Sequence, residues 1–360
     1  MLLKIYQNYI LNNFISTLGK VVFIFFGLIF ILNLFEELNY FKDQETDFYT
    51  PLSLTLLNTP IVLYEVFPFI FLISTQFFYI KIIDNNELLA YKNFGINNLK
   101  ILGFVSLSSF IIGLLLVSLF YNFSAKLKYF YLDVKNNYSS DNKYLAVITE
   151  NGIWIKDDIN ENINIINAAH LEENHLKEVS ITQLSKNFNL IKNIEAENAD
   201  ITNNKWILNK VVVYKNNFPK AEFESLPFET HFNFEKINSL FSNLSSLTIW
   251  SLIELREDYK SLKYSTKELD IHLNKLFSYP LYVALMSIIS SILMLNIKYN
   301  TNKIFNLTLG ILLSVIIYYI NHFFGTIGLT RQLPIFFSNW LPLILLIIVS
   351  SIGLVRINEK

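Results

Sequence analysis

The chain has 360 residues, of which 52% are hydrophobic and only 16% are charged, and its formal net charge is −1. Since a soluble domain carries about a quarter charged residues, this composition indicates a membrane protein. The nearly balanced charge gives no indication of a nucleic-acid partner. The absence of cysteine excludes disulfides and thiolate metal sites.

Six apolar segments approach the roughly 20 residues that a membrane-spanning helix needs. The first is too long for a cleaved signal peptide and no small-residue cleavage site follows it, so it is predicted to remain as an anchor. Between the third and fourth segments lies a stretch of ordinary polarity, long enough for one extramembrane domain. The predicted spans are 14–35, 56–80, 99–121, 276–297, 304–324 and 335–355.

A short polar segment, DNNELLAYKNFGINNLK at 84–100, separates the second and third spans. Asp84 can cap a helix whose third residue, Glu87, completes a capping box, and Gly95 can end it, which predicts a helix over 84–95. Such a helix can dock into a partner, or it can lie at the lipid surface with Glu87 serving only as a cap. The residues of the predicted docking surface are Glu87, Leu88, Tyr91 and Gly95.

The polar stretch after the third span is predicted to be an antiparallel β domain, either a sandwich or an open roll. Asn151 and Gly152 separate two extended runs, and this pair is typical of a type I′ hairpin turn. Helices are predicted at 123–135 and 247–276, on either side of the domain. Further strands are predicted in INIINAAHL, HLKEVSITQL, KWILNKVVVYK and AEFESLPFETHFNF. The resulting division of the chain is 1–121, 122–274 and 275–360.

The orientation follows from the lysines and arginines of the short loops, because cytoplasmic loops carry an excess of these residues. Most of them fall on the side of the two termini, whereas the opposite side holds Lys42, Arg331 and an acidic loop. Both termini and the 84–95 helix are therefore predicted to be cytoplasmic. The β domain is predicted to lie on the other side of the membrane.

Motifs of enzyme chemistry are missing from the sequence. It contains no phosphate-binding G-x-x-x-x-G-K-[ST] loop, no G-x-G-x-x-G after a strand, no H-E-x-x-H and no G-x-S-x-G. The close pair His170 and His175 shares no helix or strand face at a spacing of five, which favours a solvated turn over a metal site. The chain is therefore predicted to be no enzyme and to hold neither metal nor cofactor.

Ionisable residues in or beside the spans are candidates for a substrate path, because such groups inside a membrane usually face a cavity. For each of them the alternative is ordinary anchoring at the membrane surface. The candidates are Lys20, Glu65 and His322 within spans, and Lys42 and Arg331 at their outer ends.

Short motifs spread over nearly the whole chain resemble the LptF/LptG permeases of the lipopolysaccharide export system. They are FEELNYF, PIVLYEVFP, NNELLAYKNFGI, NGIWIKD, AENADITNNKWIL, LNKLFSYPL and LPIFFSNWLPLIL. The GIWIKD and WIL runs look closer to the LptG type than to the LptF type. The resemblance implies a multi-pass protein of the bacterial inner membrane, with six transmembrane helices and a periplasmic, jellyroll-like antiparallel β domain between the third and fourth.

The same resemblance implies a half-permease that pairs with an LptF-type subunit and docks on a cytoplasmic ATPase dimer of the LptB type. In that family the inner-loop helix is the coupling helix, and its acidic residue, which matches Glu87, pairs with an arginine of the ATPase. Lipopolysaccharide would leave the membrane sideways through gates that involve spans one and five. The β domain would pass it to periplasmic bridge proteins of the LptC and LptA types.

Two other functions remain open from the residues themselves. A membrane sensor would bind a ligand through the outer domain and signal inward, but the chain has no output domain after the sixth span. An envelope scaffold would organise other proteins without transporting anything, and a change at Glu87 would then leave lipid export unaffected.

Overall fold

A computed structural model gives the architecture of the chain. It describes residues 5–42, 47–136, 138, 153–159, 162–172, 174–215, 220–234, 237, 243–261, 265–295, 303–329 and 334–358. The predicted Asn151–Gly152 turn and Arg331 lie outside this set.

Two compact units make up the chain. The helical unit combines Met1–Lys128 with Lys267–Lys360, and the sheet unit is Tyr129–Thr266. The sequence placed these divisions after residues 121 and 274. The boundaries along the chain fall at other positions, because one helix continues past residue 121 and another begins before residue 274.

The described residues include six helices long and apolar enough to cross a membrane, which confirms the predicted spans. A π-helical segment, Leu116–Tyr121, joins α4 to α5. The helices are α1 Ile5–Tyr40, α2 Tyr49–Asp84, α3 Glu87–Asn93, α4 Asn98–Leu115, α5 Asn122–Asn136, α6 Ile249–Ser261, α7 Lys267–Leu295, α8 Lys303–Leu329 and α9 Ile335–Asn358.

The long helix predicted over 247–276 is two helices, α6 in the sheet unit and α7 in the helical unit. Residues 265 and 266, just before α7, are not helical. Lys267 begins α7 with Glu268 and Asp270 in its first turn, where negative charge favours a helix start. The prediction of a single helix was wrong, because it overlooked these signals of a new helix start within the range 247–276.

The helices α2 and α7 form the centre of the helical unit. The most apolar windows of these two helices are 61% and 67% buried, against 22% for α1 and 17% for α8. The helices α1 and α8 therefore bury the smallest share of their apolar windows among the six spans.

A proline inside α2 explains one strong contact between α2 and α7. Pro68 supplies no N–H to the carbonyl of Tyr64, four residues earlier. The Tyr279 hydroxyl of α7 donates to that carbonyl at 2.5 Å, and the Tyr64 and Tyr279 rings stack with their centroids 4.4 Å apart. Because a carbonyl freed inside a membrane needs another donor, this hydrogen bond fixes α7 against α2.

Small residues allow α4 to lie close to α7. A Cβ atom on Gly113 would lie 2.9 Å from the Cα atom of Pro280, so only glycine fits there. The hydroxyls of Ser109 and Ser287 share a hydrogen bond of 2.8 Å between the same two helices. Small and hydroxyl side chains are what brings membrane helices together in the absence of a hydrophobic driving force.

The sheet unit contains one antiparallel sheet whose strands follow the path β1-β2-β4-β5-β6-β7, with β3 paired to β4. This confirms the predicted antiparallel β domain. The strands are β1 Ile153–Ile159, β2 Asn162–Ala168, β3 His170–Glu172, β4 His175–Ser185, β5 Leu190–Asp200, β6 Lys205–Lys215 and β7 Ala221–Glu229.

Strand β5 was missed by the sequence analysis. Its sequence, LIKNIEAENAD, is rich in Asn, Glu and Asp, which are depleted in strands. It is nevertheless paired along most of its length with β4 and β6. Pairing on both sides therefore outweighs its weak local preference.

The two ends of the strand path meet at a buried carboxylate. Asp157 on β1 is 1% exposed, and its Oδ2 atom accepts hydrogen bonds from the Thr230 hydroxyl at 2.6 Å and the His231 N–H at 3.0 Å. Both donors come directly after β7. Within the described strands, this contact favours an open roll over a sandwich of two sheets.

The core of the sheet unit lies on one face of this sheet. Trp206 on β6 is fully buried, and its Nε1 atom donates to the carbonyl of Phe232 at 2.8 Å. Phe232 and Ile237, in the segment after β7, are fully buried in the same cluster. The segment after the last strand therefore covers part of the sheet's apolar face.

Candidate functional site

The candidate site is the short helix α3 with its contacts to the ends of α1, α2 and α8. Its start differs from the prediction. Asp84 is the last residue of α2 rather than a cap, and Asn86 is the N-cap of α3, with φ +58° and no side-chain capping bond. Asparagine tolerates this left-handed conformation. Glu87 is therefore the first helical residue, so the predicted capping box is wrong.

The predicted end of α3 at Gly95 is confirmed. Gly95 has φ +75°, a conformation that favours glycine. The Gly95 N–H donates to the Lys92 carbonyl at 3.0 Å, and the Ile96 N–H donates to the Tyr91 carbonyl at 2.9 Å. This pair of bonds is the Schellman motif, which satisfies the last carbonyls of a helix.

The carboxylate of Glu87 is held by two side chains of its own chain. Its Oε1 atom accepts hydrogen bonds from the Tyr9 hydroxyl of α1 and from the Asn85 amide, both at 3.0 Å. In the same region the Lys81 ammonium donates to the Asn13 side-chain oxygen at 2.9 Å. Two side-chain contacts therefore join α1 to the segment where α2 passes into α3.

The apolar surface of α3 differs from the predicted one. Tyr91 is buried, and this burial, together with the Glu87 carboxylate, raises the pKa of its hydroxyl to about 12, so the side chain is neutral. Leu88 is half-buried. Leu89 and Phe94 are exposed instead, by 50% and 84%. Of the large apolar side chains on this segment, these two are available to another molecule.

Contacts between α2 and α8 lie at the same end of the helical unit. Asp84 at the end of α2 pairs with Lys303 in the first turn of α8. One turn further along, the Gln76 amide donates to the Asn306 carbonyl at 2.9 Å. A Cβ atom on Gly310 would overlap the Gln76 amide, so glycine lets this side chain lie against α8.

The predicted substrate-path residues are dispersed over several helices. Lys20 lies on α1, Glu65 on α2, His322 on α8, and Lys42 just after α1, each with an exposed side chain. No side-chain hydrogen bond or ion pair joins these four residues to one another where the structure describes the chain. Their role in a path remains a prediction.

A buried polar cluster at the other ends of α1 and α2 was missed. Asn33 donates to the Thr59 hydroxyl at 3.4 Å, and the Lys128 ammonium of α5 donates to the Asn58 oxygen at 2.8 Å. Glu37 on α1 is 1% exposed. Asn58 and Thr59, two polar residues within an apolar part of α2, could have indicated this cluster. Buried polar groups need hydrogen-bond partners, here on neighbouring helices.

Comparisons with known proteins agree with this architecture. The family model described as lipopolysaccharide export system permease LptF/LptG matches residues 8–356, nearly the whole chain. Comparison with curated proteins gives no match. The family match covers all six apolar helices, the sheet unit and α3. The protein is therefore a multi-pass membrane protein and belongs to the LptF/LptG family of lipopolysaccharide export permeases.

Proposed function

We propose that this chain is one permease subunit of an ATP-driven lipopolysaccharide export complex and that α3 is its contact with an LptB-type ATPase dimer. The observation that carries the proposal is the exposed pair Leu89, on the seven-residue helix α3, and Phe94, its C-cap. Large exposed apolar side chains beside charged ones are typical of a protein interface. ATP hydrolysis belongs to the partner, and this chain is a transport subunit.

The contacts of α3 and its neighbours give a route for the movement. A displacement of the segment where α2 passes into α3 acts on α1 through the bond between Lys81 and Asn13. A displacement of the end of α2 acts on α8 through Asp84 and Lys303. The helices α1 and α8 have the least buried apolar windows of the six. We infer that they line the lateral gates through which lipopolysaccharide enters and leaves.

The proposed location is the bacterial inner membrane, with both termini and α3 in the cytoplasm. The lysines Lys81, Lys92 and Lys100 around α3 support this orientation, because cytoplasmic loops retain positive charge. The sheet unit then lies in the periplasm and passes lipopolysaccharide to bridge proteins of the LptC and LptA types. The GIWIKD and WIL runs support the LptG type, with an LptF-type subunit as the partner.

The variant Glu87→Arg tests the contact with the ATPase. It replaces the carboxylate with a cation at the proposed interface, so like charges meet if the partner presents an arginine. We expect the permease to insert normally, to lose at least about tenfold in ATPase affinity, and to stop lipopolysaccharide export. Co-purification of the ATPase and the lipopolysaccharide content of the outer membrane measure the two effects.

Glu36→Arg is the matched control, because Glu36 is an exposed acid at the opposite end of α1 from Tyr9. This control should retain ATPase binding. If Glu87→Arg also retained both ATPase binding and export, the docking role of α3 would be wrong, and the scaffold function would be favoured.

A further inference from the structure

The Glu87 carboxylate faces its own chain rather than the surface of α3. Its Oε1 atom is occupied by Tyr9 and Asn85. Its Oε2 atom is buried and accepts no hydrogen bond from any described residue.

This geometry bears on any cation that approaches α3 from a partner. Because Oε2 is buried and Oε1 already accepts two hydrogen bonds, a cationic side chain can bind both oxygens of this carboxylate only if the Glu87 side chain rotates outward. That rotation breaks the bond to Tyr9 on α1. The Glu87 carboxylate therefore binds either Tyr9 of the first span or a cation of the partner, but not both in the same side-chain conformation.

We propose that Tyr9 is a positioning residue that competes with a cationic side chain of the ATPase for the Glu87 carboxylate. Docking on α3 then removes this contact between α3 and the first turns of α1. This inference rests on the proposed function, because it takes the ATPase as the source of the cation. The bond to the cation is the stronger one, since an ionised pair outweighs a bond from a neutral hydroxyl.

The contact at Tyr9 concerns only the start of α1. Ile5 and Tyr9 are 84% and 48% exposed, whereas Ile10 and Phe14 are buried against the rest of the unit. Phe14 packs edge-on against Phe78 of α2, with ring centroids 5.7 Å apart. Loss of the Tyr9 bond therefore removes one contact of the helix start, while Ile10 and Phe14 keep the following part of α1 packed.

The variant Tyr9→Phe tests the competition, because it keeps the ring and removes only the hydroxyl. With one competitor removed, the permease should bind the ATPase about threefold to tenfold more tightly. Affinity is measured by titrating the cognate ATPase onto the assembled permease in lipid nanodiscs. Tyr6→Phe is the matched control, since Tyr6 lies one turn earlier on the same helix and is not a hydrogen-bond donor to the Glu87 carboxylate. This control should bind the ATPase as the wild type does.

A distance measurement separates competition from a merely structural effect. The chain contains no cysteine, so Asn8→Cys and Lys92→Cys, both at exposed positions, give two unique sites for spin labels. In the wild-type background the distance between the labels should lengthen when the ATPase is added. In the Tyr9→Phe background it should already be longer before the ATPase is added.

The outcomes distinguish this inference from the proposed function. If Glu87→Arg abolishes ATPase binding but Tyr9→Phe leaves both affinity and label distance unchanged, docking stands and the competition is wrong. Weaker binding by Tyr9→Phe would also overturn the competition. If neither Glu87→Arg nor Tyr9→Phe changes ATPase binding, the docking role of α3 fails and the competition fails with it.

Discussion

Single polar groups inside the helical unit are satisfied by partners on other helices. The Tyr64 carbonyl, left without an intrahelical donor by Pro68, accepts from Tyr279, and the Ser290 hydroxyl donates to the Leu72 carbonyl at 2.8 Å. In a membrane such bonds have no competition from bulk water. These hydrogen bonds keep the joined helices together, because breaking one of them leaves a backbone carbonyl without a donor.

The variant Tyr279→Phe should lower the free energy of unfolding by about 1 to 2 kcal/mol, because the stacked ring stays and the Tyr64 carbonyl loses its donor. Unfolding of the detergent-solubilised chain measures this loss. In a Pro68→Ala background, residue 68 again supplies an N–H to that carbonyl, so Tyr279→Phe should cost less than half as much. Equal costs in the two backgrounds would contradict the assignment of the Tyr279 hydroxyl as the substitute donor.

The residues that the sequence analysis identified correctly are those whose role is local. Gly95 was predicted because a helix end needs a positive φ, which depends only on neighbouring residues. Tyr9 was missed because its bond to Glu87 joins residues 78 positions apart, and no local pattern reports it. Tyr91 was assigned to the docking surface because helical spacing gives a face but not which neighbour covers it.

At the scale of elements, α3 owes its shape to its C-terminus. It has only seven residues, too few for a stable isolated helix, and its N-cap forms no side-chain bond. The bonds at Gly95 and the burial of Tyr91 therefore hold it in place. A docking contact favours a helix that is already ordered, because ordering a mobile segment on binding costs free energy and lowers the affinity.

The variant Gly95→Ala should weaken this end by about 1 kcal/mol, because alanine is disfavoured at φ +75°. No atom lies within 4 Å of the added Cβ, so the cost is confined to the backbone. Hydrogen exchange at the Ile96 amide should accelerate about fivefold. Gly95→Asn is the control, because asparagine accepts this conformation, and its exchange should stay closer to that of the wild type. Equal exchange in all three proteins would contradict a role for the glycine conformation.

The elements themselves were predictable to different degrees. Long apolar runs identify the six spans because burial in lipid leaves few other options for such sequences. Strand β5 was missed because its stability comes from β4 and β6 rather than from its own residues. The start of α3 was misplaced because Asp84 does not cap this helix. It pairs instead with Lys303, more than two hundred residues away, which no local pattern indicates.

At the scale of the whole molecule, the chain combines six apolar helices with an antiparallel sheet, and its sequence contains no motif for nucleotide binding. The most buried helices, α2 and α7, give a rigid centre, and the least buried, α1 and α8, have apolar surface available to lipid, substrate or a second subunit. The contacts at Asn13 and Lys303 connect those two helices to the segment around α3. The proposed motor acts on that segment.

A photo-crosslinking amino acid in place of Phe94 tests this account most directly, since Phe94 is the most exposed large side chain of the α3 segment. The same substitution at Leu119, exposed on the π-helical segment within a span, is the control. We expect irradiation of intact cells to join the ATPase to the chain from position 94 and not from position 119. Crosslinks from position 94 to periplasmic proteins, with none to the ATPase, would contradict the account.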